Sequence, residues 1–315
     1  MKTIRLIIIA MLSALILVSC GSRKNYNTPF LGELLGKDAD TITEEDIDGV
    51  SSILIAGNHA SLNRMENIPF GKDGYSWKGS VAGWDEQYGT ELKELDVFQN
   101  VTELSILYNS SLDDIGFVSK MKHLKKLKIH MGAFSDISTL KSCQELEDLE
   151  IVGVTNLKDI SAVGELTNLK RLKISGCSVE DLEPVSGLTH LEELIVTYNC
   201  TDIANIDSLG KLNGVTTLYL ICPNIDISFL RDSGIRPQIL SIGGGKIDLS
   251  VLSGIKGLNI LNIEETEIGD LSPLADSDIP SISLYNCTVS SDNDIDERID
   301  VSEGLSHYDY FWLLG

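Results

Sequence analysis

The most regular feature of this chain is a short apolar motif that recurs over most of its length. The motif reads Leu-x-x-Leu-x-Ile, as in residues 124–129, and each copy is followed by a polar stretch and a second apolar run. Between Leu104 and Ile282 the central residue recurs in steps of 21 to 24 residues. The central residues are Leu104, Leu127, Leu149, Leu172, Leu194, Leu218, Leu240, Leu261 and Ile282, with an early copy at Ile53.

This spacing predicts a solenoid. Within each copy the apolar residues alternate with polar ones, which is the pattern of a short β-strand with one buried face. A single unit has nothing against which to bury that face, so neighbouring units must stack. The pattern therefore predicts an α/β solenoid over residues 50–290 with about 10 rungs, where a rung is one strand with the turn that follows it.

The second half of each unit has its own consensus. It reads "LKDISAVGEL" at residues 157–166 and "VEDLEPVSGL" at residues 179–188. An aspartate followed closely by serine or proline favours a tight turn or a single 3₁₀ turn over a full helix.

The period, the strand consensus and the Asp-Ile-Ser or Asp-Leu-x-Pro turns together resemble the internalin-like class of bacterial leucine-rich repeats. The resemblance implies a curved horseshoe, with a parallel β-sheet on the concave face and short 3₁₀ or helical turns on the convex face. It also implies a surface protein that binds another protein through the concave face.

Both ends of the repeat region carry segments of a different kind. Residues 30–49 predict a helical N-terminal cap, in which Thr43 and Asp46 have the spacing of a capping box and Phe30 and Leu31 would close the open end of the core. Residues 291–315 predict either a cap for the last rung or an exposed docking tail.

The period fails between residues 59 and 91, where an irregular insertion carries the aromatic residues Tyr75, Trp77 and Trp84. Two interpretations are open. The loop either packs its aromatic side chains over the first rungs or presents them as a recognition loop for a glycan or a protein.

The first twenty residues predict a lipoprotein signal. Lys2 and Arg5 precede a largely apolar run that is too short for a finished transmembrane helix. The following Leu-Val-Ser-Cys resembles the lipobox of bacterial lipoproteins, which implies cleavage after residue 19, acylation of Cys20 and a tether over residues 20–29. No second apolar run of spanning length follows, so we expect a lipid-anchored protein outside the cytoplasm at the cell membrane or cell surface.

Charge excludes one class of partner. The chain has 25 basic and 47 acidic residues and a net charge of −22. Removing residues 1–19 takes away two of the basic residues and none of the acidic ones. A nucleic acid is a poor partner for such a field.

The cysteines recur at the turns. Cys177 and Cys287 lie five residues after a central residue, where Asn109 and Asn199 lie on other rungs. A small buried side chain at this position can bond the backbone of the neighbouring turn. Cys177 and Cys200 lie on successive rungs, so a disulfide between them is a second interpretation, although their offsets from the central residue differ.

Catalytic and cofactor motifs are missing from the sequence. The five histidines show no metal-ligand spacing, and "GGGK" at residues 243–246 lacks the rest of a phosphate-binding loop. We therefore expect no enzyme activity, no cofactor and no metal.

Strand residues that flank the inward positions should line the concave face. A basic group on the early rungs comprises Lys126, Lys128, His130, Arg171 and Lys173. An apolar and tyrosine-rich group on the later rungs comprises Ile195, Tyr198, Tyr219, Ile221, Ile260 and Tyr285. Exposed apolar patches with tyrosines commonly mark protein-binding sites, so we expect the second group to contact a protein partner and the first to be a secondary candidate. A glycan ligand and a purely structural role in an envelope assembly are the alternatives.

Overall fold

The structure, a computed structural model, describes residues 26–56, 59–62, 90–200, 203–223, 225–275, 277–290 and 298–302. Cys20, the insertion aromatics Tyr75, Trp77 and Trp84, and residues 303–315 lie outside this part of the chain. The chain divides into two compact units, Met1–Ile47 and Asp48–Gly315.

The N-terminal unit contains short helices. Helix α1 spans Pro29–Leu35, a 3₁₀ turn spans Ala39–Thr41, and helix α2 spans Glu44–Asp48. The predicted capping box at the start of α2 is confirmed: the Asp46 N–H donates to Thr43 Oγ1 at 3.3 Å, and the Thr43 N–H donates to Asp46 Oδ2 at 2.9 Å. Hydrogen bonds from Lys37 and Thr43 hold the pKa of Asp46 at about 2. The role of this unit as a cap for the repeats stays a prediction.

The second unit is built on a single sheet. Within the described residues the sheet has 13 strands, and its order is β13-β11-β10-β9-β8-β7-β6-β5-β4-β3-β1-β2, with β12 beside β10. The strands are β1 Ser52–Ala56, β2 His59–Leu62, β3 Glu103–Leu107, β4 Lys126–His130, β5 Asp148–Val152, β6 Arg171–Ser175, β7 Glu193–Thr197, β8 Thr217–Ile221, β9 Ile239–Lys246, β10 Ile260–Ile268, β11 Ser281–Tyr285, β12 Thr288–Val289 and β13 Ile299–Ser302.

The register of this sheet confirms the predicted solenoid. Leu104 pairs with Leu127, Leu127 with Leu149 and Leu149 with Leu172, and the same column continues to Ile282. All of these central side chains are buried. Consecutive strands therefore stack with their inward residues in line, and each rung covers the apolar face of the next.

Short turns cover the opposite side of the core, as the turn consensus predicts. The 3₁₀ helices are Thr90–Val97, Gly116–Lys120, Ser138–Ser142, Ser161–Glu165, Glu183–Gly187, Ile206–Lys211 and Leu249–Leu252, and two rungs have short α-helices instead, α3 at Phe229–Asp232 and α4 at Ser272–Ala275.

The aspartate of the turn consensus caps these turns. Asp136 Oδ1 accepts a hydrogen bond from the Ser138 N–H at 2.7 Å, and Asp159 Oδ1 accepts one from the Ser161 N–H at 2.7 Å. The same bond to the residue two positions later is made by Asp114, Asp181, Asp226, Asp248 and Asp270. An N–H at the start of a turn has no partner within the turn, so the recurring carboxylate satisfies it.

Strand β2 is an addition that the sequence analysis missed. It pairs antiparallel with β1 and lies at the edge of the sheet, inside the segment predicted to be irregular from residue 59. A four-residue strand outside the repeat period has too little pattern to be recognised. Among the described residues no helix has the length and apolar character needed to cross a membrane.

Candidate functional site

The candidate site is the face of the sheet that points away from the core, the face that the sequence analysis predicts to be concave. This face, called the outer face, carries three columns of side chains. In a five-residue strand the second and fourth residues point into the core, so the first, third and fifth point outward. The first column contains Glu103, Lys126, Asp148, Arg171, Glu193, Thr217, Ile239 and Ile260; the middle column contains Ser105, Lys128, Glu150, Lys173, Ile195, Tyr219, Ser241 and Asn262; and the third column contains Leu107, His130, Val152, Ser175, Thr197, Ile221, Gly243 and Glu264.

The three columns differ in accessibility. The first column is half-buried or exposed along its whole length, whereas the third column is buried from Leu107 to Glu264. In the middle column only Lys128 is not buried. A ligand that approaches this face therefore meets mainly the first column.

A buried ionic cluster occupies the early rungs, and Glu150 is its centre. Its carboxylate is 1 % exposed, with Lys173 Nζ 2.8 Å and His130 Nε2 3.0 Å from Oε1. Lys128 Nζ lies 3.3 Å from Oε2, within ion-pair distance but outside hydrogen-bond geometry. Burial alone raises the pKa of Glu150, but the bond from His130 and the charges of Lys173 and Lys128 outweigh it and hold the pKa well below the ordinary value of 4.5.

In the first column, too, basic and acidic side chains alternate and pair with one another. Lys126 Nζ lies 2.7 Å from Glu103 Oε1. Arg171 lies between two acids, 3.3 Å from Asp148 Oδ2 and 3.2 Å from Glu193 Oε1. The five predicted basic residues Lys126, Lys128, His130, Arg171 and Lys173 are therefore brought together, but each faces a carboxylate. Each pair joins neighbouring rungs, through residues twenty or more positions apart in the sequence, so the basic side chains of this group are balanced by acidic ones.

The later rungs carry an apolar cluster. Ile195, Tyr219 and Ile221 pack together, with Tyr198 and Ile239 against them. The expectation that this strip faces water is wrong for three of its members: Ile195 is 6 %, Tyr219 9 % and Ile221 2 % exposed. Their outward direction was predicted correctly, but adjacent rungs let these large side chains cover one another.

The accessible members of the predicted strip lie at its margin. Ile260 is 36 % exposed and is the register partner of the half-buried Ile239. Tyr198 and Tyr285 are half-buried. Ile239 and Ile260 thus form an apolar pair in the first column, the column that solvent reaches.

A second apolar cluster, which the sequence analysis did not single out, lies on the first rungs. Leu54, Ala56 and Leu107 pack together on the outer face, with Tyr108 against them. The Tyr108 ring meets the His130 ring edge to face, with 6.5 Å between centroids. The sequence does indicate this cluster, because strands β1 and β3 have apolar residues at outward as well as inward positions. The face therefore carries one apolar cluster on each side of the ionic cluster.

The cysteines are structural at the turns. Cys143, Cys177, Cys200, Cys222 and Cys287 have free thiols. The Cys200 thiol donates to the Cys177 carbonyl at 3.4 Å and the Cys222 thiol to the Val196 carbonyl at 3.5 Å. Burial raises the pKa of Cys177 to about 12, so its reactive thiolate form is disfavoured. The alternative of a Cys177–Cys200 disulfide is not realised in this structure.

The unequal cysteine offsets have a backbone cause. Tyr198 and Asn199 both adopt left-handed backbone, with φ of 55° and 54°, whereas the preceding rung has a single left-handed residue there, Gly176. The extra turn residue brings Cys200 rather than Asn199 into the buried position, and Asn199 is exposed. The prediction that Asn199 occupies the buried turn position, five residues after the central residue, is therefore wrong.

Comparisons with known proteins identify the fold. No protein-family model matches the chain, and no match is found among curated proteins. Among solved structures, the chain is similar to an internalin (inlF) from Listeria monocytogenes, with 20% identity, a TM-score of 0.53, and coverage of 92% of this chain and 80% of the internalin. Internalin C2 from the same organism has 18% identity and a TM-score of 0.47, covering 89% of this chain and 95% of that one. The inlF likeness shows that this chain has an internalin-like leucine-rich-repeat fold.

Proposed function

We propose that this chain is a non-enzymatic binding protein, tethered to a membrane through acyl chains on Cys20, whose outer sheet face binds a protein partner. The observation that supports it best is the accessible pair Ile239 and Ile260. These β-branched apolar side chains lie side by side in a column that otherwise carries charged and hydroxyl residues up to Thr217. Apolar side chains in an accessible patch with a polar surround are typical of a protein-binding surface.

The partner would contact Ile239 and Ile260 and extend along the first column. Ile239 and Ile260 would be the central anchor, with Tyr198 and Tyr285 beside them, while Ile195, Tyr219 and Ile221 support the anchor from within. The charged residues Lys126, Arg171 and Glu193 would form the polar rim. Because each of them already lies in an ion pair, Lys126 with Glu103 and Arg171 with Glu193, they would add more to specificity than to affinity.

A capture experiment tests the binding proposal. The full chain in a non-ionic detergent is used to capture proteins from an envelope extract, in parallel with Ile260→Asp and, as a matched control on the turn side, Glu165→Ser. We expect one partner that is captured by the wild type and the control and lost with Ile260→Asp, with unchanged melting temperatures. Equal capture by all three would contradict the proposal. Capture that disappears after enzymatic removal of glycans would favour a glycan ligand.

The anchor has a separate test. Cys20→Ala should move the protein out of the membrane fraction or leave it as an uncleaved precursor, because it removes the proposed acylation site. Labelling by a palmitate analogue that persists in Cys20→Ala would refute the lipid anchor without affecting the binding proposal.

A further inference from the structure

A cationic cavity on the turn side of the second unit is separate from the sheet face. It has a volume of about 210 Å³ and lies between helix α3 and the turn that follows Leu249–Leu252. Arg231, Arg236 and Lys256 line it together with the apolar side chains of Leu230, Val251 and Ile255. The described lining contains no acidic residue. Asp207 lies in a neighbouring hollow, which shares Arg231 with this cavity.

The two guanidinium groups donate their hydrogen bonds to uncharged protein groups. Arg236 Nη1 donates to the backbone carbonyls of Ser233 and Ile235, at 2.6 and 2.7 Å. Arg231 Nη2 donates to Ser250 Oγ at 3.3 Å, and its charge lowers the pKa of the nearby Asp248 after the larger effect of the Ser250 bonds. Within the described residues none of the three cations of the cavity lies in an ion pair, and all three are exposed.

This arrangement contrasts with the ionic cluster of the sheet face, in a chain whose net charge is −22. In that cluster each of the five cations, Lys126, Lys128, His130, Arg171 and Lys173, has a carboxylate within ion-pair distance. In the cavity three like charges converge around one opening, which costs electrostatic free energy unless an anion offsets it. A planar guanidinium suits two oxygens of a tetrahedral oxyanion, and an ammonium adds a compact charge.

We propose that this cavity binds a phosphate group, carried by inorganic phosphate or by a phosphate monoester. Arg231, Arg236 and Lys256 bind the oxygens, and Leu230, Val251 and Ile255 contact the carbon part of an ester. The cavity lies on the turn side, so this site is independent of protein binding at the sheet face.

The test uses the full chain in a non-ionic detergent, titrated with inorganic phosphate and followed by calorimetry. Lys256→Gln is the main variant, because Lys256 forms no hydrogen bond or ion pair with the described residues and its loss should not disturb the fold. Lys120→Gln is the control, since it makes the same charge change at a distant turn. We expect saturable binding that Lys256→Gln weakens about 10- to 100-fold, the range for losing one hydrogen bond between charged groups, while Lys120→Gln leaves it unchanged.

A second arm distinguishes the source of the phosphate. Mixed micelles containing phosphatidic acid are compared with micelles containing phosphatidylcholine, again with both variants. Binding of the phosphatidic acid micelles that Lys256→Gln weakens, without binding of inorganic phosphate, would support the phosphate site and assign it to a lipid headgroup. The absence of binding in both arms, or equal binding by Lys256→Gln and Lys120→Gln, would overturn the proposal.

Discussion

His130 Nε2 lies 3.0 Å from Glu150 Oε1, and both side chains are buried on the outer face of the sheet. The two residues belong to neighbouring strands, twenty positions apart in sequence, and Lys173 reaches the same carboxylate oxygen from the next strand. Buried charges are tolerated only when they are paired and hydrogen-bonded. The middle of this face is therefore an internally compensated part of the fold.

Glu150→Gln should destabilise the protein by about 3 to 5 kcal/mol, the range for removing one partner of a buried ion pair, because it leaves the buried Lys173 without its counter-charge. Urea unfolding at pH 7 measures this change. Glu193→Gln is the matched control, since Glu193 is half-buried and among the described residues forms an ion pair with Arg171 alone, and its effect should be far smaller. Similar midpoints for wild type and Glu150→Gln would show that the cluster is not important for stability.

Acidification should weaken the same cluster. The pKa of Glu150 is lower in the folded than in the unfolded chain, so its contribution to stability is complete above the ordinary value of 4.5 and is lost as the pH falls toward the folded value. The difference in unfolding free energy between wild type and Glu150→Gln should thus shrink as the pH is lowered from 7 to 3. A difference that stays constant over this interval would be inconsistent with an ionised Glu150.

Leu172→Ala should cost about 2 to 5 kcal/mol, the range for truncating a packed leucine. Leu172 is completely buried, and its register partners Leu149 and Leu194 are buried beside it. Ile260→Ala is the control, because Ile260 is 36 % exposed and should lose less. Chemical denaturation compares the two variants, and equal losses would mean that the inward and outward positions are wrongly assigned.

The turn aspartates should act through their side-chain oxygen. Asp136→Ala removes the acceptor of the Ser138 N–H and should lower the melting temperature, whereas Asp136→Asn keeps a side-chain oxygen and should lower it less. The backbone and side-chain bonds from Ser138 also lower the pKa of Asp136, so the advantage of Asp over Asn should disappear in acid. Identical melting of all three proteins at neutral pH would exclude a capping role.

The turn cysteines should react as free, protected thiols. Without reductant, Cys143, Cys177, Cys200, Cys222 and Cys287 should all be alkylated after denaturation, because all five thiols are free. In the native protein Cys287 should react first, since it alone among them is only half-buried. Peptide mass spectrometry resolves each site. A linked Cys177–Cys200 peptide would show that a disulfide forms where the structure has two thiols.

Sequence alone determined the repeat architecture. The step of 21 to 24 residues between central leucines fixed the strands, their parallel stacking and the inward side chains. The turn consensus predicted the 3₁₀ segments, and Thr43 with Asp46 predicted a helix start. These features depend on backbone period, side-chain alternation and bonds between residues two or three positions apart, all of which can be read from one stretch of chain.

Only the tertiary structure decided what each outward side chain meets. The burial of Tyr219 and Ile221, the carboxylate facing each predicted cation and the convergence of Arg231, Arg236 and Lys256 all depend on neighbouring rungs. The exchange of Asn199 for Cys200 at the buried turn position depends on one additional left-handed residue, Asn199, after Tyr198. Alternation tells which way a side chain points, but its exposure and charge balance are set by residues about twenty positions away, which become neighbours only when the rungs stack.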